Sequence, residues 1–246
     1  MEPPAARSPV RRAPASLSVR YTWDARAPKG RYRDARTGRF VAWSDVRSAL
    51  DDTLRSAGEA MTADARRLRE GAITLEQFQL RFEQSIKSVH ITSYVLEKGG
   101  WSELTPADHG RIGRLLYNPN ATGDTSTWGQ YQYARRMFDE IASGKQPLDG
   151  RLDARVRLYI EAGRRTYHRA ERLTMTRAGF DEERFRLAPA DHCTDRDGPL
   201  GGCVERAEAS WQTMGTYGGI GEMNCRANDR CTVEYRNTDT SEIFTP

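Results

Sequence analysis

Between residues 44 and 179, apolar side chains recur every three or four positions in five separate runs, divided by glycine, proline and short polar turns. That spacing is the signature of helices with one buried stripe. In the first run, Val46, Leu50, Leu54, Ala57 and Met61 share a face. Ser44 reads as its N-cap, Asp45 adds negative charge to the first turn, and the helix is expected to run to about Arg69, with Gly71 as its stop. Thr74-Leu75-Glu76-Gln77 has the form of a capping box. Behind it, Leu75, Phe78, Phe82, Ile86 and Val89 form a second stripe that should continue toward Lys98 and end at Gly99–Gly100. Thr105-Pro106 opens a third helix, through Ile112, Leu115, Leu116 and Tyr117, that closes at Asn118-Pro119. Tyr131, Met137, Phe138 and Ile141 mark a fourth. Leu152, Val156, Tyr159, Ile160, Gly163, Tyr167 and Ala170 mark a long fifth that ends near Gly179. Five helices joined by short connections predict an antiparallel helical body over residues 44–184.

The flanks differ in character. Residues 1–30 are rich in Pro, Ala, Ser and Arg and offer little to bury, so they read as a disordered basic arm. Residues 31–43 read as strand, turn, strand, with Tyr32 and Phe40-Val41 flanking DARTG. From about residue 185 the chain becomes rich in Gly, Cys and Asp, and Cys231–Tyr235 reads as a short terminal strand. The fold class is therefore mainly α, with a partly β C-terminal module over residues 185–246.

The formal net charge of +4 conceals an asymmetry. Residues 1–40 hold ten basic and three acidic side chains, and the remainder 28 and 31, so the first forty residues carry +7 and the rest −3. Arg7, Arg11, Arg12 and Arg20 are the candidates for nonspecific contact with nucleic-acid phosphates. Arginine outnumbers lysine 34 to 4. This suits bidentate phosphate binding, and a GC-rich genome produces the same bias. The fifth helix carries eight arginines between Arg151 and Arg177, which fit either a cationic rod or a solvated face alternating with Glu161 and Glu171. No apolar run approaches membrane-spanning length, and the first twenty residues lack the apolar centre of a secretory signal, so a soluble cytoplasmic chain is expected.

All four cysteines, Cys193, Cys203, Cys225 and Cys231, fall in the last fifth of the chain, separated by nine, twenty-one and five residues. Zinc knuckles usually space their ligands more tightly, although the insert DRDGPLGG could loop out and His192 is a substitute ligand. Zinc, disulfide pairing and reduced thiols all stay open on spacing alone. Either of the first two would staple a region too small and polar to fold by itself, with Trp211 as its apolar plug. Asp191, His192 and Cys193 are sequence neighbours, whereas catalytic triads assemble across a fold, so no catalytic residue is assigned. No P-loop, GxSxG or HExxH string occurs, and Gly218–Gly221 has no strand–helix unit around it.

The order of the C-terminal pieces carries a resemblance. His192-Cys193 and Cys203 precede Trp211, then Gly219-Ile220-Gly221, then Cys225-Arg226 and the closing Cys231 with Glu234-Tyr235. This resembles the C-terminal signature of tailed-bacteriophage minor head, or head-morphogenesis, proteins. The strings ITLEQF and YARRMFDEIASG and the Arg- and Tyr-rich fifth helix are similar to that group's helical region, so the resemblance spans roughly residues 70–236. It departs from the pattern in the insert between the first two cysteines and in Gly218-Gly219, where proline is expected. The resemblance implies a non-enzymatic virion component made in bacterial cytoplasm. Its implied partners are portal or major capsid subunits in a multi-copy assembly, with packaged DNA nearby. Two rival readings are a zinc-stabilised nucleic-acid-binding regulator and a small metal-dependent nuclease using His192, Asp191 and Glu205. The second lacks the dense acidic or histidine cluster that its chemistry requires.

Overall fold

The computed structural model describes residues 19–22, 31–34, 37–121, 128–186, 210–216 and 231–245. Among them are five α-helices: α1 (Trp43–Arg69), α2 (Leu75–Lys98), α3 (Pro106–Leu116), α4 (Gln130–Ala142) and α5 (Gly150–Arg177). The mainly helical body expected from the spacing is thus present. The three long helices α1, α2 and α5 pack on one another, while α3 and α4 lie against α2. A short turn joins α1 to α2, which makes them antiparallel neighbours.

Local chemistry explains most helix ends. Thr74 accepts a hydrogen bond from the Gln77 amide at 3.2 Å, and the Gln77 side-chain oxygen accepts one from the Thr74 amide at 3.0 Å. Gly99 ends α2 in the left-handed region at φ 81°, where a side chain would be strained. At α3 the reciprocal partner of Thr105 is Asp108. The start of α1 differs from expectation. Ala42 is the N-cap and makes no side-chain bond, and Ser44 already lies inside the helix. The preceding strand holds Ala42 extended, so the chain turns helical at once and lowers Trp43 onto the core.

The stripes meet as the spacing requires. Leu50, Leu54, Phe78, Phe82, Ile86, Met137, Val156 and Ile160 are buried in one cluster. Phe82 lies edge-on to Phe138 and Tyr159, with ring centroids 5.7 and 5.4 Å away. Gly163 marks a close helix approach. A Cβ there would stand 2.5 Å from Val89 Cγ1, 2.8 Å from Leu54 Cδ2 and 2.9 Å from Ser93 Oγ.

Among the described residues, two antiparallel sheets lie outside the bundle. In the first, β1 (Val19–Thr22), β2 (Arg31–Asp34) and β3 (Phe40–Val41) are ordered β1-β2-β3. The turn between β2 and β3 is held by the Thr37 amide on the Asp34 carboxylate at 2.9 Å, with Gly38 at φ 67°. The strand–turn–strand expectation holds, but β1 falls within residues 1–30, which the composition marks as a disordered arm. That expectation is corrected for 19–22. Pairing with β2, in the register Tyr21↔Tyr32, satisfies the backbone of a segment with little apolar surface to bury.

The second sheet follows α5. Its strands β4 (Glu182–Arg186), β5 (Gln212–Thr213), β6 (Thr232–Arg236) and β7 (Ile243–Phe244) are ordered β5-β4-β6-β7. β6 is the expected terminal strand. β4 was not legible because EERFR reads as a charged stretch; in the fold Glu183 and Phe185 point inward. Met175, Phe180, Phe185, Val233, Tyr235 and Phe244 form the sheet's own small core. Trp43 touches both cores, with its ring 5.2 Å from Tyr32, 5.9 Å from Tyr167 and 5.9 Å from Phe244. Trp211, expected as an apolar plug, is instead half-buried on the sheet with two guanidiniums against its ring. Arg184 lies 4.5 Å and Arg236 4.7 Å from its ring. Arginines on neighbouring strands can cover an indole face without losing their hydration, which a plug would forfeit.

Candidate functional site: an arginine-lined cleft above a buried polar network

Of the cysteine set, only Cys231 is among the described residues. It is buried at the start of β6, in the small core that also holds Val233 and Tyr235. Cys193, Cys203, Cys225 and His192 lie outside the described residues, as do Asp191, Glu205, Arg7, Arg11 and Arg12. The backbone of Arg20 is in β1. Among the described residues no three His, Cys, Asp or Glu side chains group to hold a metal, and no helix is long and apolar enough to cross a membrane.

The arginines of α5 do not form a single rod. Arg164 pairs with Asp51 at 2.6 Å, Arg172 with Glu183 at 2.9 Å, Arg151 with Asp149 at 2.9 Å, and Arg155 with Glu140. A 28-residue helix that packs on several neighbours sends its arginines to different partners. Arg165 and Arg169, one turn apart, line a cleft.

That cleft has a volume of about 420 Å³ and opens between α3, the start of α4 and α5. Arg111 and Arg114 face it from α3, Arg165 and Arg169 from α5, and Trp128 and Tyr133 from the start of α4. Asn118 and Gln130 add amides, and Tyr94 of α2 reaches it from the core. The α3–α4 wall is fixed by Gln132. Its carbonyl oxygen accepts from the amides of Gly129 at 2.7 Å and Asn118 at 3.1 Å, and its Nε2 donates to the Asn118 carbonyl at 2.9 Å. A Cβ at Gly129 would stand 2.7 Å from the Leu116 carbonyl oxygen, so a larger residue there would force α4 from α3. The Trp128 and Tyr133 rings are 5.4 Å apart at 59°.

Beneath the cleft the polar groups are buried and mutually bonded. Tyr94 donates to Asp108 at 2.8 Å, and Asp108 also accepts from Arg111 at 3.1 Å and from the Thr105 hydroxyl at 2.7 Å. Burial opposes ionisation of Asp108, but the hydrogen bonds from Thr105 and Tyr94 outweigh it and hold its carboxyl well below the usual range. His90 shares a 2.6 Å hydrogen bond with Thr166, which lines the cleft between Arg165 and Arg169. Burial, then the charges of Arg165 and Arg169, pushes the His90 imidazole down to about 4.

A second set of buried groups joins the bundle to the sheet. His168 Nδ1 and the Tyr235 hydroxyl lie 2.8 and 3.3 Å from Glu171 Oε2. Glu183 accepts from Arg172 and from the Gly215 amide, each at 2.9 Å. Glu97 is buried beside Lys98, whose Nζ is 3.5 Å from its Oε2, and Lys98 also bonds Thr174. Burial pushes Glu97 up to about 7, against the opposing pull of Lys98.

These two shifts predict opposing pH dependences. A carboxyl raised from 4.5 to about 7 keeps a proton in the folded chain that the unfolded chain has released. Its contribution to stability therefore falls as pH rises through that window. An imidazole lowered from 6.5 to about 4 takes up its proton more readily when unfolded, so its contribution falls as pH drops through 6.5 toward 4. Each is worth up to about 3 kcal/mol. In urea titrations from pH 4.5 to 7, Glu97→Gln should leave a stability that rises with pH, and His90→Asn one that falls. Parallel pH profiles for the two variants would show that neither group titrates as described.

The cleft was not legible in the sequence. Arg165 and Arg169 were visible only as members of a charge run, and nothing in the sequence singled out Arg111 or Arg114. No protein-family model matches the chain, and no curated protein and no solved structure matches it.

Proposed function

We propose that the chain is a structural protein of a tailed-phage head, of the minor-head or head-morphogenesis type. In this reading it binds portal or major capsid subunits near packaged DNA and performs no catalysis. The observation that carries the proposal is the ordered C-terminal string from His192-Cys193 through Gly219-Ile220-Gly221 to Cys225-Arg226 and Cys231, with Glu234-Tyr235 behind it. The basic first forty residues support it, because a chain that sits near packaged DNA benefits from a cationic arm. So does the helical body, in which three long packed helices make a stiff spacer. The four cysteines serve in this reading as a staple of the C-terminal segment, by zinc or by disulfide.

Mass spectrometry of purified virions from the source phage, with peptide counts normalised to the portal protein, tests it. The expected result is detection at portal-like or lower stoichiometry. Absence from mature particles, with expression in infected cells, would overturn the virion assignment.

A further inference from the structure

We infer that the cleft between α3, α4 and α5 is a binding site for a nucleoside phosphate, presented as a free nucleotide or as a residue of a single strand. The inference does not depend on the virion assignment. Among the described residues that line the cleft are four arginines and no carboxylate. Arg111 is already tied to Asp108 at 3.1 Å, which orients its guanidinium and reduces its net charge. Arg114, three residues on along the same wall, is exposed to solvent, while Arg165 and Arg169 come from α5. Guanidiniums on two walls match the tetrahedral spread of phosphate oxygens, which accept forked hydrogen bonds from more than one direction.

Phosphate alone would not require the rest of the lining. Trp128 and Tyr133 place aromatic surface at the α4 side, suited to stacking on a base. Gln130 stands beside them with an amide that can donate to and accept from a base edge. The volume of about 420 Å³ falls in the range of small-molecule pockets, whereas an acidic peptide needs a groove that extends past one or two residues. The half-buried state of Arg165 and Arg169 strengthens their pull on an anion relative to a fully solvated side chain. Their field is already felt by the neighbouring His90.

The test is calorimetric titration of the full chain with dAMP, a 5′-phosphorylated single-stranded oligonucleotide, inorganic phosphate and a polyglutamate peptide. Binding of dAMP, or of the oligonucleotide with dAMP as competitor, supports the site, and which of the two saturates first identifies the source. The variants Arg114→Gln and Arg165→Gln should each weaken that binding by about tenfold. Trp128→Ala should weaken dAMP and leave the weaker phosphate binding unchanged. Arg151→Gln, on α5 but outside the cleft, should have no effect. Circular dichroism melts of the same variants separate loss of a ligand contact from loss of fold. The inference is overturned if neither nucleotide probe binds, if phosphate or polyglutamate binds as tightly as dAMP, or if folded Arg114 and Arg165 variants bind like the parent.

Discussion

Replacing Gly163 with leucine should abolish cooperative folding, and replacing it with alanine should destabilise the chain by about 1–3 kcal/mol. Alanine is ordinarily the better helix residue, by about 1 kcal/mol over glycine. At Gly163 the sign reverses because the first added carbon lands 2.5 Å from Val89, 2.8 Å from Leu54 and 2.9 Å from Ser93. The atoms it meets are side-chain tips on α1 and α2, which can give by part of an ångström but not by the width of a leucine. Relief then requires α5 to move off both neighbours at once, opening the seam that holds the three long helices together. Since domains of this size are stable by only about 5–15 kcal/mol, that opening is enough to unfold it. Urea denaturation followed by circular dichroism checks both substitutions. An alanine variant as stable as the parent, or more so, would mean that the helices are not in contact at Gly163.

Phe82→Ala should cost about 3–5 kcal/mol, the range for emptying a buried aromatic site. Phe82 is fully buried, edge-on to Phe138 at 88° and to Tyr159 at 80°, and near Phe78 with centroids 5.8 Å apart. Its partners come from α2, α4 and α5, so the side chain links three elements in one contact group. Because those rings are themselves packed by other core residues, they cannot collapse into the space left behind. Phe82→Leu should lose less, since the volume is partly kept. A double-mutant cycle with Phe138→Leu should show a coupling of about 0.5–1.5 kcal/mol beyond the single effects. A loss under about 1 kcal/mol for Phe82→Ala would contradict the burial of this ring.

The polar interior has a different logic. Glu97, Glu171 and Glu183 are all essentially excluded from solvent. Carboxylates in such places are tolerated only when hydrogen-bonded or paired. Glu171 and Glu183 tie the end of α5 to the C-terminal sheet, through Tyr235 to Glu171 and through Arg172 to Glu183. Geometric demands of this kind fix where the sheet sits, which apolar contact alone leaves loose.

The helices were legible in the sequence because their signals are local. Thr74 with Gln77, Gly99, and Thr105 with Pro106 act within a few residues of the ends they define. The three- to four-residue spacing of Leu50, Leu54, Phe78 and Phe82 set the buried faces before any neighbour was known. The turn at Asp34–Gly38 was equally readable, since its hydrogen bonds close within five residues. What failed at this level failed for long-range reasons. Ser44 lost the cap because a strand delivers Ala42 already extended. β1 forms because β2 offers it a ladder, although its own composition gives no drive to order. Trp211 became a surface stack because strands β4 and β6 set Arg184 and Arg236 against its ring. The arginines needed the tertiary structure most. Charge and spacing made Arg165 and Arg169 look like their neighbours on α5. Only the packing of α3 and α4 against the bundle makes the cleft that Arg165 and Arg169 line. Helical periodicity is a property of one segment and can be read from that segment alone. A binding surface is a property of several segments at once, and it exists only after the core has decided which of them meet.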